Sequence, residues 1–504
     1  MVWPRGKLLG GSGGINAMFY VRGHPRDFNM WEELGNTGWN YKNVLEYFKK
    51  TEGNKVPDMV ENGNDKYHSS TGPVVMDNFM SMEPMKKKVT NAAEELGFKD
   101  IDDINGDQHV GFVLMQGQVV NGSRHSSAKA FLVPAKERQN LHIIKYAHVT
   151  HLDIDEETKS VRSVNIILNG TREMSIKARK EVILSAGAIG TPQILMLSGI
   201  GERQHLELSG VKVTHDLAGV GKNLQDHVIV PLFIKMHQST AEFLAYREFT
   251  DKIYYYLVHK LGPLSTSGPS DLMGAVNTAN HSDPYPDIQY HYFFLRKGSS
   301  EAPHMIDTMD YEQSVRDSVK KANKEADLMI VFICLLNPKS AGSILLRSSD
   351  PADKPKIYAN YLDYQEDVDT LMRGIRLKQE FLKTKALKNE EAEILQINIP
   401  GCVNYEYDTD EYWECYTRHM TNTVYHPTST AKMGPKDDEL AVVNPRLKVY
   451  GINGLRVADA SIMPFVVSAN TNAATMMIGE KAADMIKEDW GYKTVSEAEK
   501  HSEL

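Results

Sequence analysis

Gly6-Lys-Leu-Leu-Gly-Gly-Ser-Gly-Gly-Ile-Asn16 decides how this chain is read. Glycine lacks a Cβ, so a backbone this rich in it can take positive φ and lie close against a planar or phosphorylated ligand. A loose surface loop would have the same composition. The stiff context argues for the ligand-facing turn: Trp3-Pro4-Arg5 precedes the run, and Asn16 with an apolar segment follows it.

A second glycine cluster, Ser185-Ala-Gly-Ala-Ile-Gly-Thr-Pro-Gln-Ile-Leu-Met-Leu-Ser-Gly-Ile-Gly201, follows Glu181-Val-Ile-Leu-Ser185, which reads as a buried strand. The pattern predicts a turn through small residues into a helix opening at Thr191-Pro192, with Thr as N-cap and Pro in first position. Such an N-terminus offers N–H groups to an anion, but taken alone the segment reads as ordinary strand–helix packing.

Three C-terminal stretches carry the candidate chemistry. His426-Pro-Thr-Ser-Thr-Ala-Lys-Met-Gly434 sets one of 18 histidines in a Pro/Ser/Thr loop rather than on an apolar helical face. Val457-Ala-Asp459-Ala-Ser-Ile-Met-Pro464 ends a strand with an acid among small residues. Ser468-Ala-Asn470-Thr-Asn opens an apolar helix, where Asn470 by spacing alone reads first as an N-cap.

Around these, helices are expected over Asn29–Thr51 and Pro84–Leu96, the latter stopped by Gly97, with a surface excursion over 54–82. Strands are expected at Leu141–Val149 and Ser163–Leu168, the second ending in an Asn169-Gly170 hairpin turn. From about 228 to 420, helices (Phe243–Leu261, Asp367–Lys383) alternate with strands (Asp287–Leu295, Ala326–Leu336, Ser343–Leu346), which suggests an α+β unit on a mixed or antiparallel sheet. A strand at Leu455–Ala458 and a helix from Thr471 to Asp489 return to the opening style. The division is therefore 1–227, 228–420 and 421–504, the last part completing the first.

With 57 basic against 66 acidic residues the net charge is −9, and no basic stripe exists to neutralise phosphates, which argues against nucleic acid. No apolar run approaches the roughly 20 residues of a membrane span. Three cysteines, Cys334, Cys402 and Cys415, make neither a disulfide framework nor a zinc site, and no metal is expected. Cys402 and Cys415 are near enough in sequence to pair, and two free thiols are as plausible.

Together these segments resemble the glucose–methanol–choline (GMC) oxidoreductases, especially the insect FAD-quinone glucose dehydrogenase-like members. Gly6–Asn16 with Tyr20 and Gly23 fits the family's first signature, and Gly187–Gly201 fits its second. Gly219-Val-Gly-Lys-Asn-Leu-Gln-Asp-His227 and Asn337-Pro-Lys-Ser-Ala-Gly-Ser-Ile also match, so the resemblance spans Trp3 to about Asp489. It implies an α/β FAD-binding domain interleaved with a substrate domain whose sheet walls the flavin.

By the same resemblance His426 is the catalytic base and Asn470 its partner. Gly10, Gly11, Ser12 and Asn16 run along the flavin, and Val149 meets the adenine end through its backbone. Asp459 and Ala460 lie near the pyrophosphate and ribityl chain, while Asn470 and Thr471 face the flavin pyrimidine. The implied reaction passes hydride from a small-molecule alcohol to FAD, with a quinone or oxygen as final acceptor. Two departures stand out. Ser429 takes a place where the family carries Gly, which matters if that position needs positive φ. The family's opening strand and G-x-G-x-x-G turn are not found, so the FAD domain reads as Rossmann-like but truncated at its N-terminus. The competing expectation is a non-catalytic derivative that has lost FAD. Export is inferred from kinship, with no signal peptide in the chain as read.

Overall fold

The computed structural model describes residues 1–61, 64–79, 85–237, 249–266, 271–299 and 302–492. Two hydrophobic cores divide it. The first joins residues from both ends of the chain, including Phe28, Trp31, Leu195, Val457 and Met477; the second is built largely between Val228 and Met420.

The second core is built on an antiparallel sheet and takes residues from both faces of strands Val228–Met236 and Asp327–Leu335. The sheet's strands run in the order Ala392–Ile394, Val228–Met236, Asp327–Leu335, Ile288–Leu295, Leu272–Val276 and Gly111–Leu114, and Asn422–Thr423 also pairs with Val228–Met236. Side chains alternate between the faces of a strand. Ile288, Tyr290, Tyr292 and Phe294 therefore enter the second core. Gln289 and His291 project from the opposite face, opposite Cys334 and Phe332 in register. On that face Met273 and Ala275 of the neighbouring strand belong to the first core. Along Leu272–Val276 and the first half of Ile288–Leu295 the sheet thus stands between the two cores.

The expected sheet is antiparallel throughout, and it recruits a strand from before residue 228: Gly111–Leu114 pairs with Leu272–Val276. Helix Met85–Glu95 likewise gives Val89, Ala92 and Ala93 to the second core. Ser343–Leu345 instead pairs with Lys356–Tyr358 outside the large sheet. In the large sheet Val228–Met236, one strand in from the edge, is buried at eight of nine positions.

In the first core Val182–Leu184 pairs in parallel with Leu455–Val457, joining segments some 270 residues apart in the chain. Ile183 is 39% exposed, so this strand is less buried than its composition suggests. The hairpin after Leu168 forms as expected, with Asn169 and Gly170 at φ 53° and 76° between Val161–Leu168 and Arg172–Lys177.

Several boundaries move. The single helix expected over Asn29–Thr51 is two, Pro25–Glu33 and Tyr41–Thr51, because Gly35 and Gly38 turn the chain at φ 93° and 85°. The strand expected over Leu141–Val149 runs Ala147–Ile154, since Tyr146 at φ 55° breaks the extended backbone before it. Within the supposed excursion, Val74–Asn78 pairs with Glu52–Asn54 and buries Val74 and Met76. Residues 243–248 of the expected helix Phe243–Leu261 lie outside the described residues; its remainder is Phe249–His259. Cys402 and Cys415 form a disulfide, and Cys334 is free and buried. Among the described residues no helix is long and apolar enough to cross a membrane.

Candidate active site

The loop bearing His426 is held by the segment that ends in His227. Gln225 and Thr428 exchange backbone hydrogen bonds of 3.3 and 2.8 Å, so 225–227 runs antiparallel to 426–428. Asp226 is buried beneath the loop. Its Oδ1 accepts the backbone N–H of His426 at 2.8 Å, and its Oδ2 accepts from Thr423 Oγ1 at 2.6 Å and from the Tyr361 hydroxyl. Burial pushes this carboxyl up to about 6 despite those donors.

Asn470 arrives from a loop fixed at its other end. The N–H and Oγ of Ser468 donate to Asp27 Oδ2 at 2.9 and 2.7 Å, and Asp27 also closes the capping box of helix Pro25–Glu33 with His24. The two loops bring Asn470 Nδ2 to 3.4 Å from His426 Nε2. Asn470 Oδ1 is buried and meets no donor among the described residues. An orphaned buried acceptor is costly.

Burial, then the neighbouring His227 and His291, holds His426 well below the usual imidazole range, so it is neutral at physiological pH. A neutral imidazole has one bare nitrogen able to take a proton.

The glycine run reaches the same place. Gly11–Gly14 form a 3-10 turn entered by Gly10 at φ 96°. A Cβ on Gly13 would lie 3.3 Å from Oδ1 of Asn472, the first residue of helix Asn472–Asp489. Glycine run, His426 and Asn470 therefore surround one helix N-terminus. Thr471 is the N-cap residue there and makes no side-chain cap bond, so the cap expected of Asn470 does not form. Asn16 is held by Arg124, which donates to its Oδ1 at 2.6 Å and its carbonyl at 2.7 Å. Ser12 Oγ accepts the N–H of Gly6 at 3.2 Å.

The other candidates stand apart from the His426–Asn470 pair. Val149 pairs with Ile166 in a strand that packs on helix Gly187–Leu197. That helix begins at Gly187, four residues before the expected Thr191 cap, and Pro192 lies inside its first turns. Asp459 explains the shift. Its Oδ2 accepts from Gly187 N at 2.9 Å and Thr191 Oγ1 at 2.6 Å, while Oδ1 accepts from Ser461 N and Oγ at 2.7 and 2.5 Å. The carboxylate caps the helix from 270 residues away, with Thr191 as its ally. Ala460 gives its carbonyl to the N–H of Ser429 at 3.2 Å, tying this segment to the His426 loop.

Sequence reasoning passed over Asp226, His227, Asp27, Arg124 and His291. The first two close the quoted stretch Gly219–His227, and His291 is an odd position of an alternating strand; those were the available signals. A cavity of about 420 Å³ lies beside Met18, Arg124, Lys129 and Tyr256. It is not lined by His426 or Asn470.

The chain matches the N-terminal model of the GMC oxidoreductases over residues 1–229 and the C-terminal model over 338–479. It is 37% identical to a glucose dehydrogenase [FAD, quinone] of Drosophila pseudoobscura pseudoobscura, over 97% of this chain and 75% of that protein. It is 36% identical to an oxygen-dependent choline dehydrogenase of Rhizobium johnstonii, over 96% of this chain and 82% of that protein. The crystal structure of a formate oxidase superposes with a TM-score of 0.81 at 26% identity, over 96% of this chain and 84% of the other. With two family models covering most of its length and relatives of this identity, the chain belongs to the GMC oxidoreductase family.

Proposed function

We propose that the protein is an FAD-dependent oxidoreductase acting on CH–OH donors, with His426 as general base and a quinone or oxygen as final acceptor. The observation that carries this reading is the neutral imidazole of His426 set 3.4 Å from the amide of Asn470 beside a glycine-rich turn. The residues fit a flavin at this end: Gly10, Gly11, Gly13 and Gly14 have no side chains to obstruct a flat ring, and Asn470 Oδ1 has no partner among the described residues. Gly10, Gly11, Ser12, Asn16, Asn470 and Thr471 would hold the ring. Val149, Asp459 and Ala460 would serve the rest of the cofactor, Asp459 through the backbone it organises.

Bound FAD supplies the hydride-accepting centre. The chain's own residues bind the alcohol and move its proton. Asn470 Nδ2 donates to the hydroxyl oxygen and fixes the carbinol carbon's orientation. His426 Nε2 takes the hydroxyl proton, and its depressed basicity keeps it unprotonated and ready over the neutral range. The Cys402–Cys415 disulfide suits an oxidising compartment, which supports an extracellular location.

His426→Ala should leave FAD bound but slow its anaerobic reduction by an alcohol by about 10²–10⁴-fold. Unchanged reduction would remove His426 from the mechanism. Purified protein that takes up no flavin would instead make this a non-catalytic member of the family.

A further inference from the structure

Two histidines, not one, stand at the base of the site. His227 Nδ1 lies 3.0 Å from His426 Nδ1, and His227 Nε2 lies 3.1 Å from the carbonyl oxygen of Leu336. The rings meet edge to face, with centroids 5.2 Å apart and planes at 85°. His227 is completely buried.

This geometry fixes where the hydrogens are. A carbonyl oxygen only accepts, so His227 carries its hydrogen on Nε2 and donates it to Leu336. Burial pushes His227 down to about 4, outweighing the opposite pull of the Leu336 and Val467 carbonyls, so the ring is neutral and its Nδ1 is bare. A bare nitrogen 3.0 Å from another nitrogen requires a hydrogen between them. That hydrogen is on Nδ1 of His426. Being neutral as well, His426 then has its lone pair on Nε2, the nitrogen that faces Asn470.

We propose that His227 is a positioning residue for the alcohol oxidation: by accepting the Nδ1–H of His426 it selects the tautomer whose Nε2 is free to take the substrate proton. The inference rests on the function proposed above and adds the group that orients the base. Nucleophile–base–orienter arrangements follow the same logic, where the third group sets the tautomer of the second. Here the orienter is a neutral imidazole tied to a sheet carbonyl, since Leu336 directly follows strand Asp327–Leu335.

The other titratable groups near the pair are engaged elsewhere. Asp226 takes the backbone N–H of His426 and the hydroxyls of Thr423 and Tyr361. His291 Nε2 pairs with Gln289 Oε1 at 2.8 Å, and burial pushes His291 down to about 4. Burial also pushes the Cys334 thiol up, so it is protonated. Among these, only His227 is hydrogen-bonded to the ring of His426.

The test uses the full chain loaded with FAD and two variants. His227→Leu removes the acceptor; His227→Asn keeps an oxygen in the place of Nδ1. Alcohol-dependent flavin reduction should fall about 10- to 100-fold in His227→Leu, through kcat rather than KM, and His227→Asn should recover most of that loss. The pH profile of reduction should shift in His227→Leu and return toward wild type in His227→Asn. Nitrogen-15 NMR of histidine-labelled wild-type protein should show His426 protonated on Nδ1 and bare on Nε2, with that bias lost in His227→Leu. A wild-type His426 protonated on Nε2, or a His227→Leu variant reduced as fast as wild type with the same profile, would overturn the inference. If no alcohol reduces the wild-type flavin, the proposed function fails, and the NMR tautomer still decides the role of His227.

Discussion

Ser429 sits at φ 73° with its side chain wholly buried in the loop after His426. A Cβ in this left-handed region costs about 1–2 kcal/mol. Against that, the Ser429 hydroxyl lies 2.9 Å from Thr428 Oγ1, a bond worth about 1 kcal/mol net. The two terms separate by substitution: Ser429→Ala keeps the strain and loses the bond, whereas Ser429→Gly loses both. Ser429→Gly should therefore be more stable than Ser429→Ala by about 1 kcal/mol in urea unfolding; an alanine variant equal to the glycine would count against backbone strain at this position. Ser429 was legible in the chain because a resemblance marked it as unusual. His227 was not, although it stood at the end of a quoted stretch, because its role depends on two contacts across the fold, with residues 336 and 426.

At the level of elements, periodicity found what alternates or caps locally and missed what is decided at a distance. The hairpin at Asn169-Gly170 and helix Asn472–Asp489 were legible from local chemistry. Strand Val228–Met236 was not, since Pro231 within it has no N–H for a ladder and argues against a strand inside a sheet. Helix Gly187–Leu197 shows the same limit in reverse: the local Thr-Pro signal is overridden by Asp459, which reaches in from the far end of the chain. A carboxylate at a helix N-terminus satisfies orphan N–H groups and complements the dipole. Asp459→Ala should cost about 2–4 kcal/mol, because it strips the N–H of Gly187, Thr191 Oγ1 and the Ser461 donors of one buried acceptor. Asp459→Asn, which keeps one oxygen, should fall between alanine and wild type in urea unfolding. An alanine variant as stable as wild type would mean that these donors find other partners.

Across the whole molecule, the first core encloses a charged network whose effect on stability depends on pH. Arg22 and Glu52 form a buried ion pair, and His68 bridges Glu52 through Nδ1 at 2.8 Å and Asp103 through Nε2 at 2.9 Å. Burial alone would push His68 down, but its bonds to Asp103 and Glu52 outweigh it and raise the imidazole to about 9. In the unfolded chain a histidine titrates near 6.5. Below that value both states hold the proton and the network's contribution is complete. Between the two values only the folded state keeps it, and as pH rises through about 9 the folded state releases it too and the contribution is lost. The amount at stake is on the order of 3 kcal/mol, from the shift between the two values. His68→Gln lacks this titration, so the gap in melting temperature between wild type and variant should be widest below about pH 6.5 and narrow steadily towards about pH 10. Melting curves of both proteins across that range check it. A gap that stays constant would mean that His68 is neutral in the folded protein and that Arg22 alone balances the two carboxylates.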